Sequence, residues 1–363
     1  MEANLGISRW SKFLVIGLFI ALLFSGDWRA AASPIDRVVL IYNGQTHKKW
    51  PSDDFDPYVS YLRQAGKPMG WLFHTFLFLP LVAKSGNCYY PGFSPTPSNQ
   101  EDWRWYLDEK LFGGENDLAN LEASINRMQR ELGGGYHTDN VVIAIPYPDT
   151  RQVKFDAGID GVSPLNFSQP IDRRNAVRWY VQAVIRRWKK AGFHHLHLSG
   201  FYWLNEDAPG GDKELLQKTG EYIRHSRLGF YWIPYFHAEG ARDWRQLGFN
   251  YAFYQPNFFF NKLPISRIEE AATFARKHRM GMEIECDGRF FQSDIYRRRF
   301  CDYLNGGIMY GYMRRGGCAL YEGGGALLEA YRSHNPIDHA LYDETALFFL
   351  QRYKLGLSGD IEK

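Results

Sequence analysis

The chain has 363 residues, of which 45% are hydrophobic, 17% aromatic and 23% charged. This composition supports a large buried core and excludes an intrinsically disordered protein. Lysine and arginine number 43 against 40 for aspartate and glutamate, and this small excess does not indicate a nucleic-acid partner. The 11 Trp, 23 Tyr and 26 Phe supply flat rings that either fill a core or stack on sugars.

The N-terminal residues have the order of a secretory signal peptide. Arg9 and Lys12 precede an apolar run at residues 13–24, and three alanines follow at residues 30–32. We predict a signal peptide at residues 1–32 and a secreted protein, extracellular or periplasmic, at residues 33–363. The run is shorter than the roughly twenty residues that span a bilayer, so we expect no stable membrane anchor.

The four cysteines all follow the predicted signal peptide. They are Cys88, Cys286, Cys301 and Cys318. An oxidising compartment permits disulfides, and the spacing matches no zinc motif. The sequence therefore leaves both disulfides and buried free thiols open.

Eight short runs rich in β-branched and aromatic residues predict strands. They are residues 38–42, 71–79, 141–146, 195–201, 230–237, 251–255, 281–286 and 307–312. Segments with helical periodicity separate them, and we expect a helix after each strand. The alternation predicts an α/β fold, a single (β/α)₈ TIM barrel, with an insertion between strands 2 and 3 at residues 85–132.

The glycine-rich segments do not indicate a cofactor. The first predicted strand is followed by the sequence NGQT at residues 43–46, which is not a dinucleotide-binding fingerprint. The glycine triplets at residues 133–135 and 323–325 lack the strand, helix and lysine of a phosphate-binding loop. We therefore expect no cofactor.

Acidic residues stand at the ends of two predicted strands. Glu206 follows the fourth strand and Glu285 ends the seventh. Because active sites of such barrels lie at the carboxyl ends of the strands, these two carboxyls would face each other, as glycoside hydrolysis requires. Alternation along the seventh strand predicts that Glu283, Glu285 and Asp287 share the inward face. We expect Glu283 to be a structural partner, for example of an arginine, and Asp287 to hold Arg289.

This arrangement resembles known families at two levels. Asn205-Glu206 after the fourth strand, with Glu285 ending the seventh, looks like the clan A glycoside hydrolases. Segments 200–206, 229–240, 251–257 and 281–288 resemble a family of secreted bacterial proteins, domain-of-unknown-function family 4855. The second resemblance covers nearly all of the mature chain and implies a barrel without an established reaction.

The clan A resemblance implies roles for individual residues. Glu206 would be the general acid and then the base, Glu285 the nucleophile, and Asn205 would hydrogen-bond a sugar hydroxyl. Other residues near the strand ends are expected to bind the carbohydrate substrate. They are Trp203, Tyr235, His237, Tyr254, Gln255, Asn257 and Asp287. Trp203 and Trp232 are candidate stacking platforms, although each aromatic residue also fits a place in the core.

Two other functions are compatible with the sequence. A metal-dependent polysaccharide deacylase could use Glu283, Glu285, Asp287 and His237, or the pair His195 and His197 if that pair lay at the barrel mouth. A non-catalytic glycan-binding barrel would keep aromatic platforms without a working carboxylate pair. Three arginines predicted near the mouth suit either an anionic sugar or the crowded acids. They are Arg289, Arg314 and Arg315. The sugar, the linkage and the oligomeric state stay open.

Overall fold

Eight parallel strands form a closed barrel in the computed structural model, which describes residues 37–45, 49–63, 66–113, 116–155, 164–314 and 317–355. Around the barrel the strands follow one another in the order β1-β8-β7-β6-β5-β4-β3-β2. They are β1 Arg37–Tyr42, β2 Thr75–Leu79, β3 Asp139–Ile145, β4 Leu196–Trp203, β5 Gly229–Trp232, β6 Tyr251–Tyr254, β7 Gly281–Glu285 and β8 Cys318–Tyr321. The predicted TIM barrel is confirmed. The predicted signal peptide lies outside the described residues.

Helices connect most of the strands and cover the barrel. They are α1 Asp56–Val59, α2 Gln100–Trp105, α3 Asp117–Leu132, α4 Pro170–Ala191, α5 Lys213–His225, α6 Ser266–His278, α7 Arg289–Gln292, α8 Asp294–Met309, α9 Ala326–Arg332 and α10 Pro336–Phe349. A π-helix, Tyr106–Leu111, continues α2, and a small antiparallel hairpin pairs Ser60–Leu62 with Pro68–Trp71. Within the described ranges, no helix is both long and apolar enough to cross a membrane.

The connection between β5 and β6 departs from the expected alternation. Here the chain forms only a short 3₁₀ helix, Ala241–Asp243. Gly240 precedes it with φ of 82°, a backbone conformation that glycine adopts without steric cost, and Pro234 removes a backbone donor just after β5. The expectation of a helix after every strand is therefore wrong at β5.

The eighth strand lies later in the chain than predicted. Residues 307–312, predicted as a strand, form the end of α8 and the following turn, and β8 is Cys318–Tyr321. The small residue Gly307 lets α8 approach α10 closely, because a Cβ atom built there would lie 2.3 Å from the Phe348 ring. A pattern of glycine and aromatic residues therefore marks tight helix packing here, and not a strand.

The segment between β2 and β3 contains a loop that is fixed on α2 by hydrogen bonds. The Asn99 side chain caps α2 by accepting a hydrogen bond from the Asp102 backbone N–H, and the Asp102 carboxylate accepts one from the Asn99 backbone N–H. The Asp102 carboxylate also accepts hydrogen bonds from Ser85 and Asn87, which fixes the preceding loop on the helix. This loop carries Tyr90, whose hydroxyl lies in the electrostatic field of Glu206.

The cysteines are free thiols. All four are buried and none is joined to another. Of the two states that the sequence left open, the structure has the buried thiol.

Candidate active site

Glu206 lies at the carboxyl end of β4, three residues beyond its last residue, Trp203. Its carboxyl is surrounded by protein, and burial raises its pKa to about 7. A hydrogen bond from the Gln255 side chain works in the opposite direction and stabilises the ionised form. A carboxylic acid that keeps its proton near neutral pH can act as a general acid.

Glu285 ends β7 and is only 1% exposed. Three donors reach its carboxylate. The Phe258 backbone N–H donates to Oε2 over 3.2 Å, the Asn257 side chain to Oε1 over 3.4 Å, and the Tyr303 hydroxyl to Oε2. Burial raises the pKa of Glu285, whereas the three donors lower it by stabilising the anion. Glu285 is therefore the better-supported anion of the pair.

A chain of side-chain amides connects the two carboxyls. Gln255 donates to Glu206 and accepts a hydrogen bond of 3.1 Å from Asn257, which in turn donates to Glu285. Asn257 has φ of 52°, a left-handed conformation that asparagine tolerates better than most residues. This turn directly after β6 places both the Asn257 amide and the Phe258 N–H beside Glu285. The chain therefore holds Glu206 and Glu285 in one site.

Glu283 lies two residues before Glu285 on the same inward face of β7. It is 2% exposed, and its Oε1 atom has no hydrogen-bond partner among the described residues. Burial and the negative charges of Glu285 and Glu206 raise its pKa well above the usual range. The expected structural partnership with an arginine is wrong, because the described ion pairs do not include Glu283.

Tyrosines from several elements surround the three acids. Electrostatic effects of Glu206, Glu283 or Glu285 contribute to a raised pKa in each of them, together with burial. They are Tyr42, Tyr90, Tyr202, Tyr235, Tyr303 and Tyr321. Tyr235 was predicted from its place near a strand end. Tyr303 was not predicted, because it lies inside α8, and helical periodicity reports only that such a residue is buried.

Several residues predicted to bind sugar lie away from this group. Trp203 and Trp232 are completely buried, because alternation turns them towards the helix layer. Trp203 packs on Phe230 and Trp232 stacks on Phe249, so neither ring offers a face for stacking on a sugar. The proposed stacking platforms are therefore wrong.

Tyr254 and His237 also lie outside the acidic group. The Tyr254 ring stacks on Phe274 of α6, and its hydroxyl accepts a hydrogen bond from the His237 backbone N–H. His237 is exposed and its ring stacks on Phe236. The structure does not bring either side chain to the carboxyls, so the expected sugar-binding roles of Tyr254 and His237 have no support from it.

Asn205 lies at the site but its backbone carbonyl is occupied. It is 7% exposed, and its carbonyl accepts a hydrogen bond of 2.9 Å from the Trp232 indole N–H. Its side-chain amide makes no hydrogen bond to the described residues, which leaves it available to a ligand.

Arg289, which was predicted to lie near the mouth, is held by an aspartate. Asp287 binds the Arg289 guanidinium through both carboxylate oxygens, the shortest contact being 2.6 Å, as expected from the sequence. The charge of Asp287 is thereby neutralised, so it is a weak candidate for sugar binding. Arg314 precedes β8 and lies at the opposite, amino-terminal end of the barrel, because the strand begins later than predicted. Arg315 lies outside the described residues.

The predicted metal ligands are not gathered together. His195 and His197 lie at the amino-terminal end of β4, opposite the mouth, which contradicts the condition for that alternative. Within the described ranges, the one group of three potential metal-binding side chains is His74, His137 and Asp139, at the same amino-terminal end. A metal centre at the barrel mouth thus has no support from these residues.

The fold and the site define a class. The protein is a parallel eight-stranded barrel with acidic side chains at the carboxyl ends of β4 and β7, of which Glu285 is buried and Glu206 partly exposed. More specifically, the chain belongs to the family described as "Domain of unknown function (DUF4855)", whose model matches residues 37–347. This confirms the family resemblance found in the sequence. No curated protein has a sequence that matches this chain.

Several solved structures are similar to this chain at very low sequence identity. A Bacteroides thetaiotaomicron protein assigned as an alpha-L-fucosidase has a TM-score of 0.50 at 10% identity, over 88% of this chain and 94% of its own. A Flavobacterium johnsoniae chitinase has a TM-score of 0.42 at 11% identity, covering 89% and 96%. The Pyrococcus furiosus tryptophan synthase alpha-subunit has 0.39 at 8% identity, covering 87% and 98%. The likeness to the first concerns the fold alone.

Proposed function

We propose that the protein is a secreted glycoside hydrolase that cleaves a glycosidic bond in a poly- or oligosaccharide with retention of anomeric configuration. The observation that carries the proposal is the carboxyl pair Glu206 and Glu285, which Gln255 and Asn257 link at the barrel mouth. Neither carboxyl forms an ion pair with the described residues, so no cation neutralises either of them. Fold likeness is not part of this argument, because barrels of this kind support many chemistries.

The surroundings of the two carboxyls assign their roles. Glu285 accepts three hydrogen bonds that favour its anion, which suits a nucleophile. Glu206 has one donor, Gln255, and a buried surround that favours its protonated form, which suits a general acid. The different numbers of donors therefore separate the acid from the nucleophile.

The reaction then proceeds in two steps. In the first, the Glu285 carboxylate forms a bond to the anomeric carbon while the bond to the leaving oxygen breaks, and Glu206 gives that oxygen its proton. In the second, Glu206 takes a proton from water, whose oxygen bonds to the anomeric carbon and releases Glu285. The free Asn205 amide lies next to Glu206 in the chain and can bind a hydroxyl of the same sugar.

The stereochemistry of the product tests the proposal. The protein would be incubated with soluble oligosaccharides of neutral, amino and acidic sugars, and new reducing ends would be measured. Proton NMR of the first product would give its anomeric configuration before mutarotation, and we expect retention. Inversion would make Glu285 a base and contradict the nucleophile role. Sugar binding without any new reducing ends would contradict the enzyme and favour a glycan-binding barrel.

The pH dependence of activity follows from the same two groups. The working state needs Glu206 protonated and Glu285 ionised. Below the pKa of Glu285 the nucleophile is lost, and above the pKa of Glu206 the acid is lost. Because burial raises both values to about 7, we expect a narrow bell-shaped profile of kcat/KM centred near neutral pH. A broad plateau from pH 4 upwards would contradict the raised pKa of Glu206.

A further inference from the structure

The acids at the site have no cationic partner. Glu206, Glu283 and Glu285 influence one another electrostatically, and no lysine or arginine among the described residues forms an ion pair with any of them. Arg289 is engaged by Asp287 through three close contacts. A sugar carboxylate or sulfate would therefore meet three acids and no free cation, so the site disfavours anionic sugars.

Glu283 is the unsatisfied member of this group. Its Oε1 atom is buried without a hydrogen-bond donor, a state that costs free energy unless a ligand supplies one. The rings around it belong to Tyr42, Tyr202 and Tyr321, and burial raises the pKa of each hydroxyl, so none of them carries a charge at neutral pH. A donor that also carries positive charge would satisfy the oxygen and stabilise the ionised form of Glu283, which burial and the neighbouring acids disfavour.

The position of Glu283 indicates which part of a ligand it would meet. On β7 it lies two residues deeper in the barrel than Glu285, and it pairs in register with Ala319 of β8. A sugar held between Glu206 and Glu285 would thus present one ring substituent to Glu283.

We propose that this substituent is an amino group, and hence that the substrate is a saccharide of amino sugars with free, protonated amines, bound by Glu283. The inference rests on the glycosidase function proposed above. An ammonium group donates up to three hydrogen bonds and pairs with a carboxylate. An N-acetylated or neutral sugar offers no cation to Glu283.

Binding measurements test this inference. The Glu206→Gln variant would be titrated calorimetrically, because it should bind saccharides without consuming them. The probes are oligomers of glucosamine and of galactosamine in free-amino and N-acetylated forms, oligomers of glucose and galactose, and a galacturonate oligomer. We expect the free-amino form of at least one backbone to bind about tenfold or more tightly than its N-acetylated and neutral counterparts.

Two added substitutions show whether Glu283 is responsible. Glu283→Gln should remove the preference for the free amine. Glu344→Gln, a matched change at a buried carboxyl on α10 whose pKa burial also raises to about 7, should not. If the Glu283→Gln variant fails to fold, the affinities of the different oligomers for the Glu206→Gln variant, in which Glu283 is intact, still test the preference for a free amine.

Three other outcomes of these binding measurements would each contradict a different claim. Tighter binding of neutral, N-acetylated or galacturonate oligomers would overturn the amino-sugar inference and leave the glycosidase proposal standing. A preference for the free amine that persists in Glu283→Gln would overturn the role of Glu283. Failure of every saccharide to bind would overturn the carbohydrate function itself, and the inference with it.

Discussion

Replacement of Glu285 by alanine is expected to lower kcat by roughly 10⁴-fold or more, because the nucleophile and the covalent step are lost together. The substitution also leaves the Tyr303 hydroxyl and the Phe258 N–H without their acceptor. Each unsatisfied buried donor costs about 1–3 kcal/mol, and relief of repulsion with Glu283 offsets part of this cost. We therefore expect a folded protein with modestly altered Tm.

A small external anion should restore activity to Glu285→Ala. Azide can occupy the space of the lost carboxylate and bond to the anomeric carbon, while Glu206 still protonates the leaving oxygen. The product would be a glycosyl azide of inverted configuration, identified by mass spectrometry and NMR. Glu344→Ala, at a buried carboxyl outside the site, is the control and should keep wild-type kcat. Retention of more than a tenth of the activity by Glu285→Ala would show that another group is the nucleophile.

Replacement of Glu206 by glutamine is expected to lower kcat by about 10²- to 10⁴-fold, the range that general acid catalysis supplies. Glutamine has nearly the same shape and no proton of suitable acidity. Because Gln255 remains a partner for the new side chain, substrate binding should change little. The loss should be smaller for substrates whose leaving group is already a good one, such as nitrophenyl glycosides, because these need less help from an acid.

The matched control for this variant is Glu344→Gln. Glu344 is also a buried glutamate whose pKa burial raises to about 7, but it lies in α10 on the helix layer. The Glu344→Gln substitution should leave kcat unchanged, both on substrates with good leaving groups and on substrates with poor ones. An equal loss on all substrates in Glu206→Gln would indicate a positioning role for Glu206, and full activity would exclude it as the acid.

The sequence predicted those residues of the site whose place depends only on their position at the end of a strand. Glu206 and Glu285 were found because each directly follows or ends a strand, and strand ends converge at one rim of any parallel barrel. Gln255 and Asn257 follow from the same rule at β6. Their function in linking the two carboxyls was not visible, because it depends on distances between side chains of β4, β6 and β7.

The wrong predictions concern side-chain surroundings and helix packing, which depend on the tertiary structure. Trp203, Trp232 and Tyr254 were expected to bind sugar because they are aromatic and close to strand ends. Their actual surroundings depend on the phase of each strand, since a shift of one residue exchanges the inner and outer faces. The eighth strand was misplaced because Gly307, in a short aromatic run, serves the packing of α8 on Phe348.

The sequence by itself determined the barrel and the two strand ends that carry Glu206 and Glu285, because hydrophobic periodicity and strand-end position are local properties. Only the tertiary structure decided which groups share that site. It brought Tyr303 from α8 to Glu285, left Glu283 without a partner and occupied Arg289 with Asp287. Charge balance and hydrogen-bond satisfaction arise between residues distant in sequence, so they become visible only when the chain is folded.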